Sequence, residues 1–298
     1  MNSALQENSY KHIPVMPIEV IDYLNLQPDG IYLDGTIGAG GHATEILAQL
    51  SLEGKLIGLD RDAEALEICK SRFSASAHPI LTYKTSYDDF PKILSQLGIS
   101  KLNGIFLDLG LSSIQLESKT RGFSFNSPGK LDMRFDIDSS ETAKDVILNS
   151  SDKELANIFR EFGEERNSFK IAKAIKELKN SISTDSLIDV INKVTPYKYR
   201  IKTYARIFQA LRIKTNDELD HLSDFLNTFI DFLEPEGRIV IISYHSMEDR
   251  MVKNKFRELK KDNVLNVLSK KPFIPTDNEI SLNKRSRSAK MRVGEKIG

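Results

Sequence analysis

Between Gly30 and Leu109, short apolar runs alternate with longer amphipathic stretches, a pattern that predicts a parallel sheet with crossover helices. The runs 31–34, 55–60, 80–83 and 104–108 read as four strands, each followed by turn or polar residues, and three of them finish on an aspartate. Between the first two, Thr44 to Leu50 places Ile46, Leu47 and Leu50 at helical spacing. Between the second and third, Ala63 to Phe73 does the same with Leu66, Ile68, Cys69 and Phe73. The pattern is that of two consecutive right-handed crossover units.

A further strand of the same type, 238–243, arrives only after about 130 residues and is introduced by the turn Glu234-Pro235-Glu236-Gly237. An insertion therefore separates strands four and five. Within it, Ser151-Asp152-Lys153-Glu154 has the form of a capping box opening a helix through Leu155, Ile158 and Phe159. The stretches 169–178 and 187–194 also have helical periodicity, so a small helical subdomain is expected. After Pro272 and Pro275, the run 289–293 reads as a last strand. There is no internal repeat and no low-complexity tract.

A chain of 298 residues with 40% hydrophobic content can bury a substantial core, which excludes a disordered protein. Lys plus Arg and Asp plus Glu both total 42, so any nucleic-acid surface must come from local clustering of positive residues. The single Cys69 excludes an internal disulfide and a cysteine zinc site, as in a reducing compartment, and no metal site is expected. Glu7, Lys11, Glu19, Asp22 and Asp29 interrupt the first thirty residues, and no segment approaches the roughly 20 apolar residues of a membrane span. The expectation is a soluble, cytoplasmic protein with no membrane partner.

In open parallel sheets, ligands bind beyond the carboxyl ends of the strands, where strand order reverses. The loop Asp34-Gly35-Thr36-Ile37-Gly38-Ala39-Gly40-Gly41-His42 lies at that place, and its glycines remove side chains where backbone must approach a ligand. Glycine spacing alone also satisfies a dinucleotide fingerprint. Charge separates the two: a dinucleotide brings an anionic pyrophosphate, whereas S-adenosylmethionine brings a sulfonium, an ammonium and ribose hydroxyls. Asp34 before the glycines, Asp60 at the end of strand two and Asp108 at the end of strand four suit the second ligand. Taken singly, each aspartate also reads as an ordinary turn residue.

Ordered blocks then carry a resemblance over nearly the whole chain. They are His12-Ile13-Pro14-Val15, Asp34-Gly35-Thr36 with Gly40-Gly41-His42, Asp60-Arg61-Asp62, and Asp108-Leu109-Gly110-Leu111-Ser112-Ser113 with Gln115-Leu116. Arg121-Gly122-Phe123-Ser124-Phe125, Leu131-Asp132-Met133-Arg134 and Gly163-Glu164-Glu165-Arg166 follow. Ala205-Arg206 with Phe208-Gln209-Ala210, then Ser243-Tyr244-His245-Ser246-Met247-Glu248-Asp249-Arg250, and the tail 283–289 complete them. The chain resembles the bacterial 16S ribosomal RNA cytosine-N4 methyltransferases, the MraW or RsmH family. That resemblance implies a Rossmann-like class I S-adenosylmethionine-dependent fold, α/β, with the helical insertion between strands 4 and 5. It implies catalytic segments 1–115 and 215–298, an inserted subdomain 116–214 serving RNA-substrate recognition, and the small ribosomal subunit as partner. It further implies that Gly40, Gly41, His42, Asp60, Asp108 and Gln115 contact the cofactor, joined by an aromatic after strand three, placed at Tyr87, with Asp34 supporting the loop. Where the family more often has Phe and Pro, this sequence has Tyr87 and Ile114.

Cytosine N4 is a poor nucleophile because its lone pair is delocalised, so positioning must supply much of the rate. The segment Asp108 to Ser113 is the leading candidate for holding the amine, with Ser112 and Ser113 as orienters. His245, beyond strand five, either relays a proton or is a structural histidine closing the strand. A stacked base is unreachable, so the target must be extruded or unpaired. For RNA contact, the segment 196–214 carries Lys198, Arg200, Lys202, Arg206, Arg212 and Lys214 with no acid, and on a helix Arg206, Gln209, Arg212 and Asn216 share one side. Lys284, Arg285, Arg287, Lys290 and Arg292 form a second cluster. With the cleft nearby, phosphate contact is expected of these, and Arg121 with Phe123 offers a stacking site unless Phe123 and Phe125 are core. A nicotinamide-dependent oxidoreductase and a non-catalytic ribosome-assembly factor are the competing readings.

Overall fold

The computed structural model describes residues 13–78 and 80–298; Glu7, Lys11 and His12 lie outside the described residues. The first part of the chain lays down α1 (Pro17–Leu24), β1 (Ile31–Asp34), α2 (Gly41–Leu47), β2 (Lys55–Asp60), α3 (Ala63–Phe73), β3 (Ile80–Lys84), α4 (Phe90–Leu97), β4 (Leu102–Asp108) and α5 (Ser113–Glu117). Helix α3 begins where periodicity places it because the Asp62 side chain accepts from the Glu64 amide at 3.1 Å, and Lys70 and Arg72 suit the negative end of its dipole. Helix α2 starts three residues before the apolar pattern, directly on the glycines.

The inserted helices are α6 (Ala143–Asn149), α7 (Asp152–Glu161), α8 (Ser168–Lys176), α9 (Thr184–Val194) and α10 (Arg200–Asn216). The expected capping box is present: the Ser151 amide donates to Glu154 Oε2 at 2.8 Å and the Glu154 amide to Ser151 Oγ at 3.3 Å. These helices enclose their own apolar core, which includes Phe123, Leu131, Met133, Ile147, Phe159, Ile171, Leu187, Ile207 and Phe208. Burying each such side chain contributes about 1.5–3 kcal/mol.

The chain then returns through α11 (Glu218–Thr228), β5 (Leu233–Ser243), α12 (Ser246–Lys261), β6 (Leu265–Val267), α13 (Asp277–Leu282) and β7 (Lys290–Lys296). The stretch 234–237, expected as a turn ahead of strand five, instead lies inside β5, whose register against β4 shifts between Leu102 and Gly104. An irregular pairing absorbs the Pro235 that regular pairing would exclude.

One seven-stranded sheet results, in the order β3-β2-β1-β4-β5-β7-β6. Strands β1 to β5 are parallel, and β7 runs antiparallel to both β5 and β6. This is the Rossmann-like class I arrangement. Alternate residues of each strand face opposite sides. Leu33, Ile57, Leu107 and Ile241 pack with Phe90 of α4, Phe225 of α11 and Phe256 of α12. Tyr32, Leu56, Phe106 and Ile242 pack with Val20 of α1, Ile46 of α2 and Cys69 of α3. Strand order reverses between β1 and β4, so the crevice opens at their carboxyl ends.

Candidate active site

A cleft of about 520 Å³ occupies that crevice, walled by the loop after β1, the ends of β2 and β4, the turn after β5 and residues Leu282, Asn283 and Arg285 ahead of β7. The glycines of the loop divide the work. Gly38 takes φ +52°, lines the cleft and donates its amide to Asp60 Oδ2 at 2.8 Å. Gly40 turns the other way: at φ +82°, a β-carbon there would come within 2.6 Å of Phe73, so it lets α3 approach the loop. Gly41 lines the cleft. Tyr87 lines it too, its hydroxyl donating to the Glu218 carbonyl at 3.4 Å and its Cβ pressed so close to Gly35 that a side chain there would not fit.

The three strand-end aspartates converge as the sequence predicts. Asp34 is fully buried, and burial pushes its carboxyl up to about 8; the Thr36 amide opposes this, while Asp108 and Asp60 add to it. Burial raises Asp60 to about 6 against the amides of Asp62 and Gly38. Asp60 is fixed through both oxygens, Oδ2 by Gly38 and Oδ1 by the Asp62 amide at 2.8 Å. The Asp108 amide donates to Thr36 Oγ1 at 2.7 Å, and its Oδ1 accepts from the Tyr244 hydroxyl at 2.7 Å. His42 spends Nε2 on the Val15 carbonyl at 2.8 Å, turns Nδ1 toward Asp108 Oδ2 at 3.7 Å, and packs edge-on against Phe106. Burial lowers its imidazole to about 4, so the ring is neutral.

Beyond Asp108, Gly110 adopts φ +113° against the Tyr244 ring. Ser112 caps α5, accepting from the Gln115 amide at 3.2 Å while Gln115 Oε1 accepts from the Ser112 amide. Gln115 Nε2 donates to Asp62 Oδ2 at 3.0 Å. Ser113 Oγ accepts from Arg285, whose other arm reaches Glu117 Oε1 at 2.9 Å. Both serines and Gln115 line the cleft.

His245 is not among the residues that line it. Its Nδ1 accepts from the Glu248 amide at 3.4 Å as the cap of α12, which puts the ring proton on Nε2, 3.2 Å from Glu248 Oε1. His245 Nε2 is buried and without a hydrogen-bond partner among the described residues, and the acid beside it, Glu248, does line the cleft. Burial disfavours the Glu248 carboxylate, yet His245, Arg212 and the Tyr244 amide outweigh it and hold the carboxyl below its ordinary range. Glu218, His245 and Glu248 bring ligand atoms within 4.8 Å of one another, a donor set that suits a cation. Arg212 already fills that part, pairing with both Glu218 oxygens at 2.8 and 2.9 Å. Sequence reasoning missed Glu218, Tyr244 and Glu248 as cleft residues; the acidic partner of a histidine three positions away on one helix was the available signal.

Three RNA-contact expectations are corrected. Arg121 is 8% exposed, paired with Asp62 and donating to the Arg134 and Phe135 carbonyls, so it is an internal hub. Phe123 is buried in the insertion core, stacked on Phe135. Arg212 is buried against Glu218. On the same side of α10, Gln209 donates to the Phe162 carbonyl and the buried Asn216 to the Met133 carbonyl, so this side is an internal seam. Arg206 is part-exposed beside Glu165; Lys202, Arg285 and Arg287 are exposed. Among the described residues no helix is long and apolar enough to cross a membrane.

The chain is similar to known proteins over almost its whole length. The chain is 45% identical to ribosomal RNA small subunit methyltransferase H of Caldicellulosiruptor saccharolyticus, over 97% of this chain and 100% of that protein. It is 45% identical to the enzyme of the same name from Dictyoglomus thermophilum, over 98% and 99%, and 44% identical to that from Thermosipho africanus, over 96% and 98%. Residues 9–297 match the model of the MraW methylase family, and the chain belongs to that family.

Proposed function

We propose that this chain transfers the methyl group of S-adenosylmethionine to the exocyclic N4 amine of a cytosine in the decoding centre of 16S ribosomal RNA. The observation that carries the reading is the placement of Asp60 and Asp108 in one glycine-lined crevice, with the buried Asp34 at the base of its first loop. Burial is the main cause that raises two of these carboxyls, with Asp108 and Asp60 adding to it at Asp34 and Asp62 adding to it at Asp60; a cationic occupant would favour their charged forms and a pyrophosphate would oppose them, against the nicotinamide alternative. The relatives' names supply the small-subunit RNA.

When bound, the cofactor supplies an electrophilic methyl on a sulfonium. Asp60, its carboxylate fixed by two backbone amides, would accept from the ribose hydroxyls; Asp108 would balance the positive charge; Asp34 would support the loop; Gly38, Gly41, Tyr87 and Gln115 would shape the wall. The segment Asp108 to Ser113 holds the cytosine amine, with the Ser112 and Ser113 hydroxyls at its edge. As N4 forms its new bond to carbon it loses a proton, and Glu248 accepts it, held in place by His245 and the Tyr244 amide. The insertion 116–214 recognises RNA, its Lys202 and Arg206 meeting phosphates together with Arg285 and Arg287 ahead of β7. Mass mapping of small-subunit RNA from cells with and without the protein tests the reading: loss of one cytosine methyl group is expected, and unchanged methylation overturns it.

A further inference from the structure

The turn that leads into α10 presents an unusual surface. Tyr197 is 84% exposed, Tyr199 is 51% exposed and Ile201 is 73% exposed. Apolar side chains this open are normally single and scattered; here they alternate with Lys198, Arg200 and Lys202. The cations sit on the rings: Lys198 Nζ lies 4.8 Å from the Tyr199 centroid and Arg200 Cζ lies 5.5 Å from the Tyr197 centroid. Arg200 is itself anchored, donating to the Asn192 carbonyl at 2.8 Å and the Thr195 carbonyl at 3.2 Å, so the Tyr197 ring rests on a fixed support. Residues 196–214 contain no acid to neutralise this charge.

Flat rings interleaved with positive charge suit a polyanion that carries flat groups. A protein-binding patch would deplete lysine at its centre, whereas unpaired RNA stacks bases on aromatic faces and sets phosphates beside cations. We infer that Tyr197 and Tyr199, with Lys198 and Lys202, form a platform that stacks unpaired bases of the RNA substrate; this rests on the proposed RNA methyltransferase activity. Helix α10 sets the distance of the platform from the chemistry. Its far end carries Arg212, bonded to cleft-lining Glu218, and Asn216, whose carbonyl accepts from cleft-lining Arg61. The seventeen residues of α10 at about 1.5 Å each give it a length of about 26 Å, the span of about seven to eight nucleotides stacked at about 3.4 Å each.

The test uses the full chain, with naked small-subunit RNA and purified small subunits as probes, and S-adenosylmethionine affinity as the control for an intact fold. The Y197A/Y199A double variant is expected to bind naked RNA about tenfold or more weakly, with cofactor affinity unchanged. The Y197F/Y199F variant, which keeps the rings, is expected to restore binding to within about twofold of the unaltered chain. Naked-RNA affinity unchanged in the alanine variant overturns the inference, as does a loss confined to the assembled subunit, which would mark a protein contact instead. An unaltered chain that binds RNA through these tyrosines yet methylates no cytosine would overturn the proposed activity and leave the platform standing.

Discussion

The Tyr244 hydroxyl donates to Asp108 Oδ1 at 2.7 Å, so the turn after β5 holds the acid that ends β4. Both groups line the cleft, and Gly110 leaves room for the ring by carrying no side chain. Tyr244→Phe keeps the packing and removes the donor. A hydrogen bond to a charged group contributes about 1.5–3 kcal/mol, so kcat/KM for methylation of small subunits is expected to fall roughly ten- to hundredfold. An unchanged value would show that Asp108 does not depend on Tyr244.

Asp34 makes the cofactor-free protein sensitive to pH. Its carboxyl is raised from 3.8 to about 8 in the folded chain, so the folded state holds this proton more tightly than the unfolded state. Its contribution to stability is present at low pH and is lost as pH rises toward 8. Asp34→Asn, uncharged throughout, is therefore expected to melt above the unaltered chain at about pH 8, by less at about pH 5, and close to it only below about pH 4, when both are cofactor-free. A cationic ligand reverses the preference: affinity for S-adenosylmethionine should rise between about pH 6 and 8 in the unaltered chain and be weak and nearly flat in the variant. Thermal melts and calorimetric titrations across this range check both halves.

Glu248→Gln separates proton acceptance from capping. Glutamine retains an oxygen for the amides of Tyr244 and His245 but cannot take a proton. A loss of about 10²–10⁴ in kcat, with cofactor affinity within about twofold of normal, is expected from rapid-quench methylation assays. Equal kcat would return the acceptor role to another group.

Arg121 and Arg287 should behave oppositely despite both being arginines in basic stretches. Arg121→Ala leaves Asp62 buried without its guanidinium and is expected to cost about 3–5 kcal/mol in chemical denaturation. Exposed Arg287→Ala is expected to leave stability within about 0.5 kcal/mol of normal. It should lower the salt dependence of RNA binding by about one unit on a log-log plot. A folded, salt-altered Arg121 variant would restore it to the RNA surface.

The sheet was legible because its signals are local. Three of the apolar runs end on Asp34, Asp60 and Asp108, and the register brings those ends together without further information. The strand-end acids at the cleft followed from that alone. What escaped depended on contacts distant in sequence. Arg121 reads as an exposed cation until Asp62, 59 residues earlier, is seen to face it. Arg212 pairs across the start of α11. His245, open in the sequence to a catalytic or a structural reading, caps α12 with its ring beside Glu248. Gly40, read as a cofactor contact, faces Phe73 of α3, a relation that glycine spacing alone does not encode.

The position of β7 has a consequence for how the molecule is made. It lies between β5 and β6 in the sheet yet follows both in the chain. During synthesis β5 must wait with an open edge while α12, β6 and α13 emerge, and an open edge is a template for mispairing. The residues just ahead of β7, Asn283 and Arg285, also close one side of the cleft. A nascent chain therefore completes its sheet and its cleft in one late event, and a chain shortened before β7 would present a sticky edge instead of a partly working enzyme.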